Sequence, residues 1–403
     1  MKRIMSVLLI GIWCCVALTG CWSQRELNEL SIAFALGLDF VDGQYVVTAQ
    51  IINPGEISPS RSGGGGDQSP VGTYETRGET LFEAFRRLTK VVPRTVYFAY
   101  VRIVVIGESL AREEGIMDSM DFLLREDEFR TDYYLLVAKN SFARDTLRVL
   151  THLNQIPAEK VFDSLEMSEE YWAATGKITI DELVNRLIQE GRQPVLTAIE
   201  VAGNKAIAGS SENVQSIENN AVLKLANMAA FNGDKMVGWL NEVESKGYNY
   251  TQNNVTDTIA TVSCSEKGSL AIGVLNADTK VRTEISNGQP RGRVDVHAEG
   301  KVGDVECEID LSKEQTMITL EKLLKQEIRE NIAGSVRRAQ KDFRSDIFGF
   351  GEALFRSDPQ AWASLERKWR DTFSDMPVDI TVDVDVRSQG SMTKSLKQLK
   401  KER

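Results

Sequence analysis

Met228-Ala-Ala-Phe-Asn-Gly-Asp-Lys-Met-Val-Gly-Trp-Leu240 places two short, apolar, β-prone runs on either side of Asn232-Gly233. Asn-Gly suits the left-handed positions of a type I′ turn, so the stretch predicts a tight hairpin. The same form occurs earlier: Ile32 to Phe40 and Tyr45 to Ile52 are β-rich, and Asp42-Gly43 stands between them. Two-residue turns can join only antiparallel neighbours, whereas parallel pairs need a long crossover. The expected sheets are therefore mixed or antiparallel, and the fold class is α+β.

The flanking sequence supplies helices to cover those sheets. Thr80 with Glu83 has the spacing of a capping box, and Leu81, Phe82, Phe85 and Leu88 make an apolar helical stripe that ends before Pro93. Thr95 to Ile106 reads as a β-rich run, Ile116 to Leu124 as a helix, and Tyr133 to Ala138 as a strand. A second capping box, Thr179 with Glu182, opens a helix with core residues Leu183, Val184, Leu187 and Ile188, and Pro194 to Val201 follow as a strand. Beyond residue 255 come several strands up to Ile309. Ser312 with Gln315 is then expected to cap a long helix with the stripe Leu320, Leu323, Leu324, Ile328, Ile332 and Val336. The last strand alternates Ile380, Val382, Val384 and Val386 with Asp379, Asp383 and Asp385. This pattern is expected to divide into three α+β domains, at 21–150, 151–255 and 256–390, with a basic tail at 391–403. Within the first, Ser58 to Pro70 is rich in Gly, Ser and Pro and is expected to be a disordered loop.

The N-terminus indicates where the chain resides. Lys2 and Arg3 precede the mostly apolar run Ile4 to Leu18, and Leu18-Thr19-Gly20-Cys21 has the form of a bacterial lipobox. Cleavage would remove residues 1–20 and leave Cys21 carrying diacylglycerol and palmitate-type chains, a cell-membrane lipid anchor on the extracytoplasmic face. The remaining 383 residues would carry 46 basic and 58 acidic side chains, which argues against nucleic acid as a partner. Cys14 and Cys15 leave with the signal, so only Cys264 and Cys307 remain for a disulfide. Two separately buried thiols are an equal alternative.

No catalytic constellation emerges. His152 and His297 are the only histidines, neither sits in a zinc-type spacing, and there is no Gly-x-Ser-x-Gly elbow. The acidic run from Glu166 to Glu170 and the aspartates of the last strand read as solvated faces rather than acid-base or calcium sites. No metal, cofactor or catalytic residue is assigned. An anchored hydrolase would need a pocket with converging His and carboxylate groups; a lipoprotein solute-binding protein feeding a transporter would share the signal, the acidic surface and the size. The hairpins oppose the second, whose two lobes are built from repeated βαβ units.

Cys21-Trp-Ser-Gln-Arg-Glu-Leu-Asn-Glu-Leu30 resembles the start of the mature chain in the Ger(x)C family of lipoprotein subunits of spore germinant receptors. The resemblance continues through Gly37-Leu-Asp39, Val47 to Pro54, Val104 to Arg112, Leu123 to Arg130 and Val237 to Leu240. It implies a non-catalytic, extracytoplasmic α+β protein of three domains. It also implies a place beside the polytopic A and B subunits of one receptor in the spore inner membrane, with Cys21 as the lipidated residue.

Overall fold

The structure is a computed structural model that describes residues 29–53, 69–263, 268–307 and 309–387. Its strands are β1 (Leu30–Val41), β2 (Gln44–Ile52), β3 (Val71–Gly78), β4 (Thr95–Tyr97), β5 (Ile103–Gly107), β6 (Tyr134–Ala138), β7 (Val195–Gly203), β8 (Ala221–Asn232), β9 (Lys235–Trp239), β10 (Thr258–Ser263), β11 (Ser269–Ser286), β12 (Gln289–Val305) and β13 (Val378–Arg387). The helices that matter here are α1 (Leu81–Arg87), α2 (Met117–Arg125), α3 (Ala143–Leu147), α4 (Pro157–Trp172), α5 (Ile180–Ile188), α6 (Glu242–Thr251), α7 (Glu314–Arg338), α8 (Phe350–Ser357), α9 (Pro359–Leu365) and α10 (Trp369–Asp375). Mixed helix and sheet is the class expected from the sequence.

Among the described residues the strands form two sheets, where three sheet domains were expected. The first has nine strands in the order β3-β2-β1-β5-β6-β7-β8-β9, with β4 alongside β1. Its centre is parallel, from β1 through β5 and β6 to β7, and antiparallel hairpins close both sides. Because β6 pairs with β7 across the boundary expected at residue 150, the first two expected domains share one sheet. Both faces are buried: Leu36, Val104 and Leu135 pack under α1, α2 and α5, while Ala35, Val105 and Leu136 pack under α3 and α4. Central parallel strands covered on both faces read as continuous apolar runs, as in Ile103-Val-Val-Ile106.

The second sheet has the order β10-β11-β12-β13, antiparallel except for the parallel β12-β13 pair. Along α7, Leu320, Leu324, Ile328, Ile332 and Val336 recur every four residues and are all buried. At 1.5–3 kcal/mol per aliphatic side chain, that stripe is worth on the order of 10 kcal/mol before the entropy of ordering it. Val382, Val384 and Val386 are buried and Asp383 and Asp385 exposed, as the alternation of the last strand requires. One continuous core joins Met228 and Ala230 of β8 to Tyr248 and Tyr250 of α6, then to Leu324 of α7 and Val296 of β12. Between α6 and α7 the backbones almost touch, since a Cβ at Gly247 would lie 2.1 Å from the Asn331 carbonyl oxygen.

Local signals hold in part. In the β1-β2 hairpin both loop residues have positive φ, 54° at Asp42 and 76° at Gly43, and Asn287-Gly288 repeats this between β11 and β12. In the β8-β9 hairpin Asn232 pairs with Lys235, so the loop residues are Gly233 and Asp234, and only Gly233 takes positive φ. That is the type II′ pattern instead of the expected I′, with the register displaced by a bulge beside Phe231. Thr179 and Glu182 make the expected reciprocal cap, whereas the Glu83 N–H donates to the Thr80 hydroxyl oxygen and the Glu83 carboxylate accepts the N–H of Glu79 instead of that of Thr80. Ser312 does not cap α7. Its hydroxyl donates to Asp310 at 2.5 Å, and the helix starts two residues later.

Candidate functional site

Several of the sequence blocks that carry the family resemblance converge on carboxylates and amides that fix helices to the first sheet. Asp39, at the end of β1, is fully buried and accepts the Ala143 N–H at 2.8 Å and the Arg144 N–H at 3.1 Å. It thereby serves the free donors at the start of α3 from a strand more than a hundred residues away. Burial pushes the Asp39 carboxyl above its ordinary range, against the lowering effect of those two donors. Gln50 on β2 works at the other end of α3. Its amide donates to the Leu147 carbonyl at 2.8 Å and accepts the Ala158 N–H of α4 at 3.2 Å.

Glu108 ties two further blocks together. It follows β5, and its carboxylate accepts Arg112 Nε at 2.8 Å, Trp239 Nε1 at 3.0 Å and the Asn140 N–H at 2.9 Å. Burial raises its carboxyl, but the three donors together outweigh burial and hold it below the usual carboxylate range. The ammonium of Lys139 lies 5.5 Å from the Trp239 ring. The indole at the end of β9 is thus locked to the centre of the sheet by charge and ring face together.

A buried polar assembly lies at the junction between the two sheets. Asp346 is 4% exposed, and every contact of its carboxylate is a donor. Oδ1 accepts the N–H groups of Phe348, Gly349 and Phe350 at 3.2, 3.0 and 3.2 Å. Oδ2 accepts the Gly351 N–H at 2.8 Å and Trp369 Nε1 at 2.9 Å. Burial pushes this carboxyl up, opposed by the same donors. From the first sheet, the segment between α5 and β7 reaches into this turn. Gln193 N–H donates to the Asp346 carbonyl at 2.9 Å, Glu352 N–H to the Gly191 carbonyl at 3.0 Å, and Arg192 pairs with the buried Glu352 at 3.4 Å. Trp362, edge-on to Trp369 at 5.2 Å, donates to Glu190 at 3.0 Å. Gly191, at φ 78°, lies so close to Gly351 that a Cβ there would fall 2.5 Å from the Gly351 carbonyl carbon. The arrangement is a closely hydrogen-bonded clasp beside a cavity of about 230 Å³, and among its described residues no nucleophile is paired to a base.

The residues singled out from sequence fall as follows. Cys21, Cys264, most of the glycine-rich loop and the basic tail lie outside the described residues. Cys307 is buried and disulfide-bonded, with Sγ 3.4 Å from the Ser269 carbonyl oxygen. His152 Nε2 sits 2.9 Å from the Ser216 carbonyl, and His297 lies on an exposed face between Asp383 and Asp385 at 3.7 and 3.8 Å. Glu166 accepts the Tyr134 hydroxyl at 2.5 Å and pairs with Lys177 at 3.2 Å, so the acidic run is partnered rather than simply solvated. Among the described residues, no group of three or more His, Cys, Asp and Glu side chains is arranged to hold a metal ion. None of their helices is long and apolar enough to cross a membrane. The reading of the sequence missed the clasp. Its available signal was Asp346-Ile-Phe-Gly-Phe-Gly351, an aspartate ahead of two glycines, the composition of a turn whose N–H groups wrap an anion.

Fold and clasp define a two-sheet α+β body built for fixed geometry. Its sequence matches the family described as "Spore germination protein N-terminal domain" over residues 23–201 and "Spore germination B3/ GerAC like, C-terminal" over residues 226–390. The chain belongs to this family of spore germination proteins. It is 32% identical to spore germination protein KC of Bacillus subtilis (strain 168) over 387 residues, covering 95% of each chain. Spore germination protein B3 of the same organism is 22% identical, over 94% of this chain and 96% of that protein. The crystal structure of the GerBC protein shares the fold, with a TM-score of 0.53 at 15% identity, over 87% of this chain and 96% of that one. The seam between the two family segments falls between β7 and β8, which are hydrogen-bonded neighbours. The C-terminal segment therefore lends β8 and β9 to the N-terminal sheet.

Proposed function

We propose that the chain is the C subunit of a nutrient germinant receptor. It is held by lipid on Cys21 at the extracytoplasmic face of the spore inner membrane, and it acts without catalysis by assembling with the polytopic A and B subunits. The observation that carries this reading is the 32% identity to a spore germination protein along 95% of both chains, joined to the lipobox at Leu18 to Cys21. Two acyl chains are what durable membrane attachment needs, and confinement beside the bilayer raises the effective concentration of the body near membrane partners. In the same exterior compartment, Cys264 is the partner of Cys307, which peptide mapping without reductant would show as a linked pair.

Deleting the gene should abolish the response to one class of nutrient while germination by non-receptor routes persists. The Cys21→Ala form should take up no labelled palmitate and should restore germination poorly. Affinity capture from spore membranes should recover two polytopic proteins with the wild type. Capture of neither, or micromolar binding of an amino acid or sugar by the purified chain in calorimetry, would replace this reading with that of a solute-binding lipoprotein.

A further inference from the structure

Between Ala84 and Gly107 the chain holds five basic residues, Arg86, Arg87, Lys90, Arg94 and Arg102, and no aspartate or glutamate, although its overall charge is −10. Arg86, Arg87, Lys90 and Arg94 are exposed. Apolar surface accompanies them: Val91 is 45% exposed, Tyr100 54% and Phe82 52%, with the Arg86 guanidinium 5.0 Å above the Phe82 ring. Cations on long stems beside exposed aliphatic and tyrosine side chains suit the boundary between headgroups and acyl chains.

The fold puts this stretch where the chain enters the body. Within it, β4 pairs in parallel with the first residues of β1, Leu30 with Thr95 and Ile32 with Tyr97. Glu29, Arg86 and Arg94 line one groove of about 710 Å³. Glu126 and Glu128 share that groove, and Arg87 pairs with Glu83 at 2.5 Å, while Lys90 and Val91 stand outside its lining. Glu29 is only eight residues past Cys21. An extended chain of that length spans at most about 29 Å. On the reading that Cys21 carries the lipid, the stretch cannot leave the neighbourhood of the bilayer.

We propose that the surface from Arg86 to Thr95 is a second membrane contact, which rests on anionic phospholipid headgroups and sets the orientation of the body over the bilayer. It adds to the acyl anchor the electrostatic attraction that a basic cluster feels at an anionic surface, an attraction confined to about a Debye length. A single lipid anchor fixes distance but not orientation, and a second contact supplies the missing constraint.

The test uses residues 21–403 with Cys21→Ser, so that no lipid contributes, compared with the same chain ending at residue 390, so that the basic tail is separated out. Both should co-sediment with phosphatidylglycerol-containing vesicles, should do so less at high salt, and should ignore pure phosphatidylcholine. In the shorter chain, Lys90→Gln with Arg94→Gln should weaken binding about 30-fold. Lys90→Gln alone, at an exposed position, should weaken it about fivefold and keeps the test open if the double variant does not fold. Equal binding to both vesicle types, or full binding by the variants, overturns the proposal. So does a wild type that ignores anionic vesicles while the variants lose co-purification with polytopic membrane proteins, since the surface is then a protein interface. Because the assay omits the acyl chains, failure of the Cys21 reading appears separately, as absent palmitate labelling.

Discussion

Replacing Asp346 by Asn tests whether the clasp depends on a charged carboxylate or only on its shape. The two oxygens of Asp346 accept five N–H donors, three on Oδ1 and two on Oδ2. An amide has one oxygen, so in its better orientation its NH₂ faces the Gly351 N–H and the Trp369 indole N–H, and both donors lose their acceptor. Hydrogen bonds to a charged group are each worth about 1.5–3 kcal/mol, so two of them amount to about 3–6 kcal/mol. Removing the cost of burying a charge offsets part of that sum, which leaves an expected loss of about 3 kcal/mol. Urea unfolding followed by tryptophan fluorescence is the assay, because Trp362 and Trp369 sit within the clasp and report its opening. The pH dependence has a definite sign. Burial raises the folded carboxyl above its unfolded value, so the penalty for burying the charge is felt above the folded pKa and relieved as pH falls toward the unfolded one. The wild type should therefore gain from this group on mild acidification, a trend Asp346→Asn cannot show. A variant within about 1 kcal/mol of wild type at neutral pH would refute the argument, because it would mean that the native carboxyl already carries a proton and an amide replaces it almost without change.

Two further substitutions probe other parts of the fold. Gly247→Ala should cost about 1–3 kcal/mol in urea or thermal unfolding, since the new Cβ would meet the Asn331 carbonyl oxygen at 2.1 Å and force α6 off α7. Helix propensity alone would stabilise by about 1 kcal/mol, so the sign of the change decides whether the close crossing is real. Glu108→Gln should remove an acid-sensitive element. The folded carboxyl lies below its unfolded value, so its contribution is present above about pH 4.3 and lost as pH falls through the folded pKa. Wild type should then lose stability toward acid more steeply than the variant, and superimposable pH profiles would dismiss Glu108 as a stabilising lock.

What could be read from the sequence was mostly local. Asp42-Gly43 announced a hairpin because two left-handed residues fit only that turn, and Thr179 with Glu182 announced a helix start because the reciprocal cap closes within four residues. Asn287-Gly288 carries an equally strong hairpin signal. The parallel centre of the first sheet was not legible, because Ile103-Val-Val-Ile106 and Tyr134 to Ala138 are apolar on both sides and carry no information about which strand lies beside them. For the same reason the expected boundary at residue 150 ran through a sheet. The roles of Asp39, Gln50 and Glu108 were hidden as well. Asp39 and Gln50 spend their polar atoms on backbone about a hundred residues away, and Glu108, besides Arg112 four residues on, holds Asn140 and Trp239 from far along the chain; nothing in the neighbouring sequence marks those distant partners.

The pairing of β7 with β8 across the family seam makes order of synthesis matter. When a growing chain has exposed only the N-terminal segment, β7 ends the sheet as a long, apolar, unsealed edge, the kind that recruits foreign strands. The sheet can be sealed only after residues 221–239 have emerged, by which point the chain is committed to building the second half. Severed at the seam, the N-terminal piece should be sticky and the C-terminal piece should carry a homeless hairpin. Mixed together during refolding, the two pieces should rescue each other. The two segments that evolution's bookkeeping treats as separate domains would then be a single unit of folding.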